Sequence, residues 1–278
     1  MILVNKKKTE NDILIKKYNI GNNKPEDMVV STVCEIASVC YQSKVGKSER
    51  LYNMLMRENS GGLPSSAFSF VPVSVTPLEM NQIMTAVTNT EELESYPQAH
   101  TCPSLMKYGY FNTTTGTWIC NFRSLVYDHR HGYLDVETYE RIMDRVVPID
   151  VYLYKVENMT MYTFGHMVRH SMALQVMSRR FVSDDKSPFK FYTHSKIIEK
   201  GLDGPINILQ ASAVGVYGHL IEHGIHREVA RGYIQQCATT DFWFKWNTPV
   251  DEANFITMRT AKSAQDEIRF FASALEEL

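Results

Sequence analysis

Val168-Arg169-His170-Ser171-Met172-Ala173-Leu174-Gln175-Val176-Met177-Ser178-Arg179-Arg180-Phe181 is the stretch on which the reading of this chain turns. Its thirteen positions from 169 to 181 hold three guanidiniums, one imidazole and two hydroxyls, and no acid follows before Asp184. Like charges set this close call for an anionic partner. Met167, Val168, Met172, Leu174, Val176 and Met177 supply an apolar face between them, and the pattern predicts one mostly buried helix over residues 160–177. From such a helix the cations project in fixed directions, and an arginine fork beside a serine hydroxyl suits bidentate phosphate capture. Taken alone, the stretch fits equally well a helix whose cations are solvated or paired with distant acids.

Before this stretch, residues 1–27 are polar and read as a peripheral strand and loop, closed by the turn cluster Gly21-Asn22-Asn23-Lys24-Pro25. Residues 29–41 are small and apolar, and 48–56 continue as a helix with Leu51, Met54 and Leu55 on one side. Gly61-Gly62-Leu63-Pro64 breaks it. Residues 68–75 alternate as a strand, which Pro72 restricts to an edge or a bulge. A hairpin is expected from 108–111 and 117–122 around Thr113-Thr114-Thr115-Gly116, then a helix over 136–146 and a strand over 151–156. Past the basic stretch, 183–188 reads as a surface turn. A long helix over 204–223 ends at Gly224 in the C′ position, and another starts near Arg227. One last helix is expected over 252–277, with Met258, Ala261, Ala264 or Gln265, Ile268, Phe271 and Leu275 on its core face.

A chain of 278 residues with 44% hydrophobic content can bury a core without staples. Its net charge of −2 argues against a general nucleic-acid coat, whereas a small anionic ligand needs only a local basic cluster. The five cysteines are odd in number, widely spaced and lack a C-x-x-C pair, so neither a disulfide framework nor a metal site is suggested. A reducing cytoplasm fits. Met1-Ile2-Leu3-Val4 turns at once to Lys6-Lys7-Lys8, too short an apolar run for a signal peptide or a membrane span, and no membrane partner is expected.

Further motifs follow the basic stretch in order: Gly224-Ile225-His226-Arg227-Glu228-Val229-Ala230-Arg231, then Trp246-Asn247, then Asn254-Phe255 with Arg259, then Ala264-Gln265 with Glu267-Ile268. The ordered set resembles the flavin-dependent thymidylate synthases. That family carries Arg-His-Arg, seven residues and Ser-x-Arg, then an R-E-V-A-R helix and a terminal N-F-x-x-x-R-x-x-x-x-x-Q-x-E-I helix. Here the family spacing holds from Asn254 through Ile268. The resemblance implies an α+β fold, a mixed or antiparallel sheet packed with long helices, in a single domain over 1–278. Residues 83–150 read as an insertion, since the family strand matching 68–75 runs almost directly into its Arg-His-Arg helix. Within that block Trp118-Ile119-Cys120-Asn121-Phe122-Arg123-Ser124-Leu125 echoes the family's W-x-x-N-x-R-S-L. Its position differs from the family's, so it is read as chance or an old partial duplication rather than a second active site.

The resemblance also implies a chemistry: reductive methylation of dUMP to dTMP, with methylenetetrahydrofolate as carbon donor, FAD as hydride source and NADPH to recharge it. It implies a cytoplasmic homotetramer with active sites between subunits, and divergence of the kind seen in a viral member working in host cytoplasm. Position by position, Ser178 and Arg180 resemble the phosphate grip and Arg231 the nucleotide contact of the R-E-V-A-R helix, with Gln175 as a further polar contact on the substrate side. Arg259 matches the catalytic arginine at the pyrimidine edge, where a fixed cation stabilises the ionised ring. Arg169, His170, His166, Asn247 and Asn254 resemble the flavin-contacting group. Three departures stand out: Ser171 replaces the second arginine with only six residues before Ser178, residues 59–66 lack the His and Glu of H-x-[ST]-P-F-E-H, and Ser38 replaces an arginine. His100, His129, Arg130 and His131 are candidate replacements. The departures leave two alternatives open: modification at C5 of another pyrimidine nucleotide, by hydroxymethylation or on dCMP, and a non-catalytic nucleotide-binding paralogue.

Overall fold

A computed structural model describes residues 1–41, 48–57, 65–88, 104–178, 182, 187–234 and 236–278. Strands β1 (Ile2–Lys8), β2 (Leu14–Asn19), β6 (Tyr152–Thr160), β8 (Thr239–Trp246) and β7 (Met172–Val176) form an antiparallel five-stranded sheet in the order β1-β2-β6-β8-β7. A smaller antiparallel sheet joins β3 (Pro72–Val75), β5 (Thr117–Asn121) and β4 (Tyr110–Asn112) in the order β3-β5-β4. Pro72 opens the edge strand β3, where its missing N–H costs no ladder bond.

Both faces of the large sheet are buried, against different partners. On one side Tyr18, Ile20, Leu153, Ala173 and Trp243 pack with α1 (Pro25–Tyr41), α2 (Ser48–Met56), the small sheet, α5 (Phe122–Arg130) and α6 (Val136–Asp144). On the other, Ile15, Tyr154, Val156, Phe242, Phe244 and Trp246 pack with α7 (Met161–Met167), α11 (Pro249–Thr260) and α12 (Asp266–Glu276). The architecture is α+β with antiparallel sheets and many helices, as expected. Among the described residues no helix is long and apolar enough to cross a membrane, and the described cysteines form no disulfide.

Two expected helices take other forms. Residues 160–177 are α7, a turn through 168–170, and strand β7 paired to β8, so Arg169, His170 and Ser171 sit at a helix-to-strand turn. Met172, Leu174 and Val176 meet one core while Ala173 and Met177 meet the other. Burial on both faces erases the alternation that would mark a strand, leaving a continuous apolar run. The expected helix over 252–277 is likewise two. Ala261 leaves α11 in an extended conformation, Gln265 starts α12, and Met258 turns out 58% exposed. Phe255 is the buried residue of α11, and the bend lets α12 bring Ile268, Phe271 and Leu275 back onto it.

The strand expected over 68–75 is shorter: Ser66–Phe70 form a 3-10 turn capped by Ser65, with Phe68 and Phe70 both buried, and only Pro72–Val75 are extended. The hairpin β4–β5 and helix α6 form within the predicted block, and residues 1–27 add a second strand to the one expected. Helix α9 (Asp203–Glu222) stops at Gly224, whose φ of +78° is the left-handed C′ geometry that glycine adopts without cost. Short α10 (Arg227–Ala230) follows. The turn expected over 183–188 lies mostly outside the described residues.

Candidate functional site

At the C-terminal end of α7 the chain carries His166 and, one turn on, Arg169 and His170. Helix α11 crosses beside them and presents Arg259. Its start is held by a capping box: Asp251 N donates to Thr248 Oγ1 at 3.1 Å, and Thr248 N to Asp251 Oδ2 at 3.0 Å, with Pro249 in the first turn. Phe255, fully buried, locks the helix between Trp246 and Phe271. Arg259, one turn beyond Phe255, is thereby aimed back at the α7 end.

Arg259 Nε donates to His170 Nε2 at 3.1 Å and Nη2 to the His166 carbonyl at 3.3 Å. The first bond requires a lone pair on Nε2, so the His170 proton sits on Nδ1. Burial, then the charge of Arg259, lowers the pKa of His170; burial, then Arg259 and Arg169, lowers that of His166. Burial and the charge of Arg169 also work against the charge on Arg259. Asp251, the acid that acts on His170, has its carboxylate engaged by the Thr248 cap. Among the described residues neither Arg169 nor Arg259 is ion-paired with a carboxylate. Two buried donors of this neighbourhood, His166 Nδ1 and Trp246 Nε1, have no hydrogen-bond partner there. Two guanidiniums beside two imidazoles, one of them with an unpartnered ring nitrogen, are able to offer donors to an anionic, hydrogen-bonding ligand.

This cluster predicts a pH dependence. A histidine whose folded pKa lies below its unfolded value binds more protons when unfolded, so stability falls as pH drops through the unfolded imidazole value. Each unit of separation between the two pKa values is worth about 1.4 kcal/mol. The thermal midpoint is therefore expected to fall between pH 7 and pH 5, and His170→Gln, whose amide oxygen still accepts from Arg259, is expected to flatten that fall. Equal slopes for the two proteins would refute the assignment.

Asn247, just past β8, donates from Nδ2 to Ser171 Oγ at 2.9 Å, which ties it to the turn after α7. Gln175 lies in β7, donating to Cys40 Sγ at 2.6 Å and accepting from Ser66 Oγ at 2.6 Å, on the sheet face away from Arg259. Three candidates stand apart from the cluster within this chain. Asn254 is exposed on α11, five residues from Arg259 and so about 140° round the helix. Arg231 is exposed beside α10, its Nε donating to Glu228 O at 3.3 Å. Ser178 is half-buried beyond β7, and Arg180 lies outside the described residues.

The proposed replacements in 83–150 are committed to local structure. His129 Nδ1 bonds Leu134 O at 2.9 Å, His131 stacks on Tyr127 at 4.0 Å, and Arg130 Nη2 donates to Met56 O at 3.0 Å; His100 lies outside the described residues. What that block does bring to Asn247 is Arg123, which lines a cavity of about 290 Å³ between the start of α5 and β7. The W-x-x-N-x-R-S-L echo was the signal for it.

Residues 143–278 match the family model described as thymidylate synthase complementing protein. A curated relative, the flavin-dependent thymidylate synthase of Aquifex aeolicus (strain VF5), is 42% identical over 74 residues, which are 26% of this chain and 23% of the relative. The match thus spans under a quarter of that relative's length. The family match begins just before β6 and runs through α12, so the part of the chain that builds the cationic turn is the part similar to the thymidylate synthase complementing protein family and to this flavin-dependent thymidylate synthase.

Proposed function

We propose that the protein makes dTMP from dUMP by flavin-dependent reductive methylation, on the family's α+β fold. The observation that carries this reading is the turn at 166–170, where Arg169 and Arg259 meet two imidazoles with no carboxylate among the described residues pairing either arginine. Such a site is built for an anion. FAD, when bound and recharged by NADPH, would supply the hydride, and methylenetetrahydrofolate would supply the carbon. Arg169, His166 and His170 would hold the flavin, with Asn247 steadied by Ser171.

Arg259 is held through Nε and Nη2, which leaves Nη1 to meet the pyrimidine edge. A guanidinium fixed before reaction stabilises charge on the ionised uracil without reorganising as that charge develops. Ser178 and Arg180 would take the nucleotide phosphate. The C5 carbon would gain a bond to the one-carbon unit, whose bond to the folate nitrogen breaks to release tetrahydrofolate, and would lose its proton, with the hydride from the reduced flavin completing the methyl group.

Assembly completes the site in this reading. Helix α9 buries only Ala213 and Tyr217, and leaves Ile208 70%, Leu209 56% and Val216 47% exposed. A helix this apolar on its outer side fits a contact between copies of the chain. Arg231, beside α9 and away from its own Arg259, would then serve a neighbour's site in a homotetramer. Light scattering is expected to show a tetramer; a monomer that turns over dUMP would refute the shared site.

The central test incubates the protein with FAD, NADPH, methylenetetrahydrofolate and C5-tritiated dUMP. Tritium release with dTMP formation is expected. Release without dTMP, or turnover of dCMP alone, would replace this reading by modification of another kind, and absence of any turnover would overturn it.

A further inference from the structure

The large sheet and the small one are built from the same unit. In each, two antiparallel partner strands run into capped helices. β3 enters α3 (Pro77–Thr88) through Thr76, whose Oγ1 accepts from Glu79 N at 3.3 Å, and β5 enters α5 through Asn121, whose Oδ1 accepts from Ser124 N at 3.0 Å. β6 enters α7 through Thr160, and β8 enters α11 through Thr248, each accepting at 3.1 Å from the amide three residues on. The second turns of the two units, β5 to α5 and β8 to α11, face one cavity: Arg123 and Ser124 line it from one, Asn247 from the other.

The remaining walls mix hydroxyls with an apolar side, which Met172, Ala173 and Leu174 of β7 supply. Ser66 and Ser69 border the cavity from the turn before β3, and Ser104 and Tyr108 from α4 (Ser104–Lys107) and its end. Buried Asp128 fixes that helix, accepting from Ser104 N at 3.0 Å and Leu105 N at 2.9 Å. Arg123 is the one formally charged residue on the wall among the described residues. It is half-buried, and burial works against its charge, which an anion would relieve. A guanidinium has five donors, so a protein contact to some of them leaves others for a ligand. At about 290 Å³ the cavity holds a phosphate with part of the group attached to it.

We propose that Arg123, with the serine hydroxyls around it, binds a phosphate of the flavin cofactor or of the pyrimidine nucleotide, so that the part of the chain outside the family match supplies a cation to the active site. This rests on the reading above that the adjoining turn takes those ligands. Asn247 links the two places: it lines the cavity and holds Ser171 beside Arg169 and His170.

Calorimetry with FAD, riboflavin, dUMP and deoxyuridine tests this on the full-length protein. Arg123→Gln is expected to weaken one phosphorylated ligand about tenfold to a hundredfold, the range for a lost charge-assisted contact, and to leave its phosphate-free counterpart unchanged. Loss confined to FAD assigns the flavin phosphate, and loss confined to dUMP the nucleotide phosphate. Ser69→Asp, which sets a like charge on the opposite wall without touching Arg123, is expected to weaken the same ligand and serves if Arg123→Gln fails to fold. Affinities equal to wild type in folded variants would overturn the role of Arg123 and leave the proposed reaction standing. A wild-type protein that binds neither FAD nor dUMP would overturn both.

Discussion

Arg259→Ala is expected to lower dTMP formation and tritium release by on the order of a hundredfold or more, with kcat falling more than KM rises. The guanidinium is placed by two contacts, to His170 Nε2 and the His166 carbonyl, and by the buried anchor Phe255 one turn earlier. Alanine removes the cation and also releases His170 from its acceptor role. Arg259→Lys is expected to recover little, because one ammonium cannot bond His170 and the His166 carbonyl while facing a pyrimidine edge in the plane of the fork. The thermal midpoint of both variants should stay near wild type, since Arg259 is half-exposed and pairs with no carboxylate among the described residues. A variant that retains more than a third of the rate would remove Arg259 from the chemistry.

Features that depend on local signals were legible in the sequence. Gly224 ends α9 because its own φ is positive, and Pro72 marks an edge because it lacks an N–H, so neither needs the rest of the molecule. β7 was not legible, because apolar residues on both of its faces pack against a core, which removes the alternation of a one-sided strand and reads as a helix. The break between α11 and α12 hid for a related reason: apolar residues continue at near-helical spacing across it, and only packing on Phe255 shows that the chain turns. In the site, the meeting of Arg259 with His170 joins positions 89 residues apart, and only the order of motifs hinted at it. Arg123 was present in a recognisable phrase at an unexpected position. Its relevance lies in the cavity shared with Asn247, which no spacing along the chain reveals.

Arg145→Leu is expected to cost about 3–5 kcal/mol of stability, the usual result of stranding a buried charge. Glu79, 4% exposed, receives both ends of the Arg145 fork, Nη1 at 2.7 Å and Nη2 at 2.6 Å, while Nη1 also donates to Ser74 O at 2.8 Å. Burial pushes the Glu79 carboxyl up, but the Arg145 hydrogen bonds, the Thr76 amide and the Arg145 charge together hold it below its ordinary value. A carboxylate with a depressed folded pKa contributes stability above its unfolded value and loses it as pH falls through the folded one. Wild type should therefore weaken on acidification, and Arg145→Leu should weaken less, having lost that contribution already. Glu79→Leu combined with Arg145→Leu is expected to recover most of the loss, because the pair then leaves no orphan. Urea unfolding checks each step, and a loss under about 1 kcal/mol for Arg145→Leu would place the pair among weak surface bridges. The shape of the transition carries the larger consequence. Ile119, Phe122 and Leu125 share one core with Val33, Ala173 and Trp243 of the α1 layer and the large sheet. The small sheet and α5, which hold Arg123, are thus expected to melt with the rest in a single transition, and two separate transitions in Arg145→Leu would show instead that the wall bearing Arg123 folds on its own.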